Sequence, residues 1–403
     1  MAPLDGLDAV DWSRYRHAYG PATDVPGLLR ALARDEDASE EVRAHAASRG
    51  KSVFDAVTRI LWGNVYHQGS VWGVTAKVVP FLVELLDADL PAPKREFLLM
   101  YLHAIARGCP DVVFPQAFDL DEVEYQCRRV TALNLPASVT DGDAWGRLPA
   151  GLDHETATQA RWIWERDCFV AVEAAVPAVL RRVHDPEDDV VDAALSLLAS
   201  FPRQASESVP VLWALARRDD TPRAARALLA LSVLREDVAD RARALHDAVG
   251  DRHVGSLYAA AAAVLATRGA NTPPWAVERL LHPVDDWREL PCAFAAAVGE
   301  LCHRMLLCLP DDARAEVIEA VGRSLATQSG VGKLDAVETL LNFAHATNLT
   351  SLNPLQRRAI ALIAEHGDWP EGTVNVNQTA SLRYYGFPTQ RAELAALARS
   401  PSD

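Results

Sequence analysis

The chain has 403 residues, 49% hydrophobic and 24% charged, a globular mix that argues against long disordered spans. Its 40 basic residues face 55 acidic ones, for a formal net charge of −15, which opposes a protein whose affinity comes from neutralising phosphates. Such a surface suits solubility or a basic partner.

The opening MAPLDGLDAVDWSRYR lacks a basic segment leading into an apolar run, so no secretory signal is expected. No later run reaches the roughly 18 apolar residues of a membrane span, and AAAAAVLA (259–266) reads as a core helix. The expectation is a soluble, cytoplasmic protein. DVPGLLRALARDEDASEEVRAHAA (24–47) then shows apolar residues at helical spacing, a turn, and a second helical stripe.

LWGNVYHQGSVWG (61–73) follows. Phe54, Val57, Ile60 and Leu61 end one amphipathic helix. Gly69 is expected in the left-handed conformation that stops a helix. Ser70 is expected to cap the next helix, which runs through Val74, Val78 and Pro80. HQG thus reads as a helix–helix turn, with His67 bonded to a backbone group across it. Trp62, Tyr66, His67 and Trp72 are the candidate ligand- or partner-binding residues here, facing either the next repeat or an open groove.

VVPFLVELLDADLPAPKREFLLMYLHAIA (78–106) repeats the two-helix pattern. Residues 108–154 break it with Pro110, Pro115, Pro136 and Pro149, and acidic residues outnumber basic ones. A long irregular insertion is expected, either a flexible one or a lid or partner-contacting loop. In RWIWERD (161–167), Trp162 and Trp164 stand two apart, so a helix points them to different faces. Either each packs against a different neighbouring helix, or they are further candidate anchors, because tryptophan supplies large contact area.

Residues 176–201 form a helical hairpin: Val176, Val179, Leu180 and Val183, a break at His184-Asp185-Pro186, then Val190, Val191, Ala194, Leu195 and Leu198. The acids of DPEDD (185–189) fit a helix N-terminus. About 33 residues on, a period typical of helical solenoids, 208–234 lines up with this hairpin. Looser copies follow at 241–269 and from Pro274-Trp275 through Cys302. Pro26, Pro80, Pro177 and Pro210 recur in the first helices and are expected to bend them. The tail WPEGTVNVNQTASLRYYGFPTQ (369–390) is expected to fold back as a cap through Tyr384, Tyr385 and Phe387.

Chemical motifs fail. Cys109, Cys127, Cys168, Cys292, Cys302 and Cys308 contain no C-x-x-C pair and read as reduced thiols. Cys302-His303 and Cys308 lie among leucines, as core residues would. SGVGK (329–333) has Thr327 in place of the first P-loop glycine and Leu334 in place of Ser or Thr. No G-x-S-x-G or H-E-x-x-H occurs. No catalytic residue, metal ligand or cofactor is assigned.

The repeats resemble those of bacterial HEAT-repeat proteins, which carry a proline in the first helix, an Asp at the turn and a Val-Arg pair opening the second. Pro177, Asp185 and Val190 stand at those offsets, and Val42-Arg43 keeps the pair. Val191 and Asp192 stand where the arginine belongs. The resemblance covers 20–107 and 155–365. It implies an all-α, right-handed αα-superhelix, a HEAT-like solenoid with one long irregular insertion and a C-terminal cap. The expected divisions are HEAT-like hairpins over 1–107, the acidic insertion over 108–154, further hairpins over 155–368, and a cap and tail over 369–403.

The family mostly supplies binding surfaces. The expected function is therefore a non-enzymatic adaptor or immunity-type inhibitor holding a protein or peptide partner on its concave face, a basic one by the net charge. The alternative is an enzyme or small-molecule binder with an aromatic-lined pocket in the groove, closed by 108–154. Charge argues against nucleic acid, and no membrane partner is expected.

Overall fold

A computed structural model of the chain describes residues 4–67, 69–107, 120–142, 151–218, 221–249, 254–281, 298–327, 330–345, 352–369 and 376–400. Helices carry most of them, as the 3.6-residue apolar period requires. The strands among them are two-residue antiparallel pairs: β1 (Arg16–His17) with β2 (Gly20–Pro21), and β3 (Tyr66–His67) with β4 (Ser70–Val71). The fold is an all-α solenoid of stacked helical hairpins. The chain divides into two compact units, with the division between Val211 and Leu212.

The first unit opens with α1 (Val25–Ala33), α2 (Glu40–Ser48) and α3 (Val53–Asn64). Local chemistry sets their starts. Ser39 accepts from Val42 N at 3.3 Å to cap α2. Ser52 and Asp55 form a reciprocal capping box on α3, at 3.0 and 3.2 Å. The next pair is α4 (Thr75–Asp87) and α5 (Ala92–Arg107). Helix α5 is buried along Leu98, Leu99 and Tyr101–Ala106, because α4, α8 (Ala160–Glu173) and α10 (Asp188–Leu198) all pack on it.

Two polar ties lock α5 in place. The Arg95 guanidinium grips the Asp185 carboxylate at 2.9 and 2.8 Å, and Asp185 also accepts from Glu187 N at 3.1 Å. Burial alone would raise the Asp185 carboxyl, but the hydrogen bonds from Arg95 and the Glu187 N–H, with the Arg95 and Arg182 charges, together outweigh it and hold it below the usual carboxylate range. Thus Asp185 organises the turn between α9 (Val176–Arg182) and α10, while Glu187 occupies the N-cap position of α10. His103 is buried and bonded to the Ser200 hydroxyl at 3.1 Å.

Two expectations are revised. Pro26 and Pro177 sit in the first turns of α1 and α9, where a missing N–H costs nothing. Among the recurrent prolines, Pro80 and Pro210 lie inside helices, in α4 and α11 (Ala205–Ala216). The segment expected to be irregular contains α6 (Leu120–Thr131), followed by a short helical turn at Ser138–Gly142 and by α7 (His154–Thr158). Leu120, Val123, Cys127 and Val130 recur at helical spacing and are buried, and α6 packs on α8. Pro110, Pro115 and Pro149 lie outside the described residues.

The second unit contains α12 (Thr221–Val233), α13 (Ala239–Val249), α14 (Val254–Arg268) and α15 (Pro274–Leu281), then helices Val298–Cys308, Asp311–Thr327, Gly330–Ala344 and Pro354–His366. The alanine run makes α14 a core helix, with Tyr258 through Val264 buried and α12, α13 and α15 around it. Cys302 is buried, and desolvation pushes its thiol up to about 12. Gly330–Lys333 begins a helix, so no phosphate-binding loop forms there. Helices Val376–Tyr384 and Arg391–Arg399 form the C-terminal cap. Phe387 is buried in it as expected, whereas Tyr384 is 83% exposed and meets the Tyr385 ring edge-on. No helix among the described residues is long and apolar enough to cross a membrane.

His103 makes stability pH-dependent. Burial first, and the Arg107 charge second, lower its pKa to about 4, from an ordinary 6.5. The unfolded chain therefore binds more protons between those values, so stability present above pH 6.5 is lost as pH falls toward 4. The expected loss from this group between about pH 7 and pH 5 is roughly 2 kcal/mol. Urea unfolding of the wild type and of His103→Gln checks it: the variant should lose less stability on acidification, and equal losses would contradict the assignment.

Candidate functional site

The HQG segment is a hairpin rather than a helix–helix turn. Helix α3 ends at Asn64, and Tyr66 pairs with Val71 and His67 with Ser70. Gly69 is left-handed, with φ of 86°, but it serves the tight turn of this hairpin. Ser70 lies in β4 and caps nothing; α4 starts five residues later. Its entry is fixed by Thr75, whose hydroxyl accepts from Trp72 N at 2.9 Å and donates to Val65 O at 2.5 Å. His67 bonds a backbone group as expected, donating from Nδ1 to Gly63 O at 2.9 Å.

The β1–β2 hairpin lies against this one. Ala18 N donates to Asn64 O at 3.0 Å, and the Tyr19 ring meets the His67 ring edge-on at 5.3 Å. Asp24 ties the β1–β2 hairpin to the end of α3, bonding His17 Nε2 at 2.9 Å and accepting from Asn64 Nδ2 at 3.1 Å. Burial pushes the Asp24 carboxyl up, but the His17 and Asn64 contacts prevail and hold it below the ordinary value. His67 thus belongs to a polar brace.

Trp62 and Tyr66 belong to an aromatic cluster. The Trp62 ring lies 5.6 Å from Tyr66, 6.4 Å from Phe97 and 5.4 Å from Tyr101. Tyr66 and Tyr101 are buried, whereas Trp62 and Phe97 are half-buried. Those two form one wall of a cavity of about 610 Å³ between α2 and α3. Arg49, Lys51 and Arg59 line it with a single carboxylate, Asp55. All three cations are exposed and make no salt bridge among the described residues. Asp55 is held by Ser52, whose hydrogen bonds are the main reason its carboxyl lies below the ordinary value.

Trp72 and Trp164 meet elsewhere in the same unit, 6.3 Å apart. They line a second cavity, of about 230 Å³, with Lys77, Thr140, Asp141, Ile163 and Asp167. Trp164 is buried and donates from Nε1 to Thr140 O at 2.6 Å. Arg14 binds Asp141 at 2.7 Å. Through these contacts the Ser138–Gly142 turn, part of the expected insertion, seats over the two tryptophans. Trp162 joins neither cavity. Arg161 lies 5.1 Å from its ring, and its carbonyl accepts from Cys127 Sγ at 2.9 Å.

The six sequence candidates therefore separate into a cavity wall (Trp62, backed by Tyr66), a brace (His67), a second cavity (Trp72 and Trp164) and one half-buried ring (Trp162). Sequence reasoning missed Arg49, Lys51 and Arg59. Their signal was legible: three cations within eleven positions of an acidic chain, with Asp55, Arg59 and Trp62 on one helical face. Lys77, Thr140 and Asp141 gave no local signal, because only tertiary packing brings them together. Among the described residues no group of three or more His, Cys, Asp or Glu could hold a metal ion.

No protein-family model matches the chain, and no curated protein matches it. Among solved structures it is similar to an engineered protein crystallised by the Northeast Structural Genomics Consortium, at 15% identity over 92% of this chain and 87% of that one. The TM-score is 0.23, too low for that likeness to carry an argument.

Gly73 makes the second cavity possible. A Cβ there would lie 2.6 Å from the Asp141 carbonyl oxygen and 2.8 Å from its carbon, and backbone cannot yield as a side chain can. Gly73→Ala is expected to push the Ser138–Gly142 turn away and cost about 1–3 kcal/mol. Urea unfolding measures the cost, and solvent exchange of the Trp164 indole N–H reports the lost bond to Thr140. Unchanged stability and unchanged exchange would contradict this packing.

Proposed function

We propose that the chain is a non-enzymatic, HEAT-like binding protein that holds an acidic segment of a protein or peptide partner in the cavity between α2 and α3. The single observation that carries this reading is the charge of that cavity: Arg49, Lys51 and Arg59 against Asp55, beside a wall of Trp62 and Phe97. Its volume, about 610 Å³, falls within the span of roughly 300–1,000 Å³ usual for binding pockets. Carboxylates of the partner pair with the three cations, and an apolar side chain rests on the rings. Arginine with tryptophan is also the composition of interaction hot spots. The net charge favoured a basic partner; the local charge of this cavity favours an acidic one.

A second reading is favoured by one further observation. The Ser138–Gly142 turn closes a smaller cavity over Trp72 and Trp164, the arrangement of a small-molecule site under a lid.

Charge reversal tests the first reading. Arg49→Glu with Arg59→Glu is expected to weaken capture of a Glu-rich, Phe-containing peptide at least tenfold, by about 1.4 kcal/mol or more. Both side chains are exposed, so the melting temperature should hold. Undiminished binding by a folded variant would overturn the reading.

A further inference from the structure

Resting on the small-molecule reading of the Trp72–Trp164 cavity, we propose that this cavity binds a small, single-ring carboxylate. Its lining leaves donors to spare, while its carboxylates are already paired with arginines. Trp72 Nε1 is buried and has no hydrogen-bond partner among the described residues. A buried donor left unmade costs about 1–3 kcal/mol, so an acceptor brought by a ligand is strongly favoured there. Lys77 is exposed and makes no salt bridge among the described residues; its ammonium lies 5.8 Å from the Tyr15 ring centre.

The acceptors tell the opposite story. Asp141 is taken by Arg14 at 2.7 Å, and Asp167 by Arg166 at 2.6 Å. The Thr140 carbonyl is taken by the Trp164 indole at 2.6 Å. An amine would therefore meet carboxylates already paired with arginines, and Lys77 opposing it. A carboxylate finds one full charge and one neutral donor.

Size and wall set the rest of the molecule. The volume, about 230 Å³, lies below the roughly 300 Å³ where drug-sized pockets begin. A single ring fits, and Trp72, Trp164 and Ile163 give it apolar surface. The two tryptophan rings already contact each other at 6.3 Å, so the ligand lies against them as a wall and not between them.

Benzoate and benzylamine, nearly the same shape with opposite charges, are the probes. Each is titrated by calorimetry into the full chain, to concentrations of order 10 mM so that millimolar affinity is visible. Benzoate should bind and benzylamine should not. Lys77→Met and Trp72→Phe, which keep bulk and ring, should each weaken benzoate about tenfold with unchanged melting temperature. Arg59→Glu, in the other cavity, should leave benzoate binding as it is. Binding of benzylamine in place of benzoate overturns the ligand class while leaving the cavity a binding site. Binding of neither probe overturns both the ligand class and the small-molecule reading. Benzoate binding indifferent to both variants at Lys77 and Trp72 overturns the assignment to this cavity.

Discussion

The buried hydrogen bond from the Tyr101 hydroxyl to the Leu61 carbonyl, 2.7 Å long, is the contact on which the first unit depends. Tyr101 is fully buried, and desolvation raises its pKa well above the ordinary value, so the hydroxyl stays a donor. Leu61 lies in the last turn of α3, and its carbonyl also accepts from Val65 N at 3.0 Å. The Tyr101 bond therefore uses the second lone pair of a helical carbonyl and fixes the register of α5 against α3. Phe97, one turn earlier on α5, stacks on Tyr101, 5.2 Å apart and 17° from parallel, and the register sets Trp62 beside both. The same helix is held by Arg95 to Asp185 and by His103 to Ser200. The wall of the larger cavity is thus a consequence of how α5 is gripped.

Charge acts at two ranges. A net charge of −15 belongs to the whole surface, but at physiological salt the Debye length is about 8 Å, so distant carboxylates are largely screened. What a ligand meets in the larger cavity is Arg49, Lys51 and Arg59 with Asp55. The sign of the local field there is opposite to that of the chain. In the smaller cavity the carboxylates are neutralised by Arg14 and Arg166, so Lys77 sets the sign again.

Much of the fold was legible because apolar period and helix length are local properties. The hairpin of 176–201, the core helix around Ala259–Val264 and the buried Cys302 all follow from spacing. Helix α6 carried the same signal in Leu120, Val123, Cys127 and Val130, but the surrounding prolines outweighed it in the reading. The HQG turn was misread because left-handed glycine ends helices and turns hairpins alike, and only the pairing of Tyr66 with Val71 decides. The site was less legible than the fold. Aromatic residues announced themselves singly, yet Trp72 and Trp164 lie far apart in sequence and meet only through packing.

The central claim, that local cations beside Trp62 bind an acidic segment despite the chain's net charge, is tested most directly by salt. The affinity of the wild-type chain for a Glu-rich, Phe-containing peptide is measured from low to high ionic strength, beside a Lys-rich peptide of the same length. Affinity for the acidic peptide should fall steadily as salt rises, and the Lys-rich peptide should not compete for the site. Affinity for the acidic peptide that is insensitive to salt or grows with it, or tighter binding of the Lys-rich peptide, would contradict the claim.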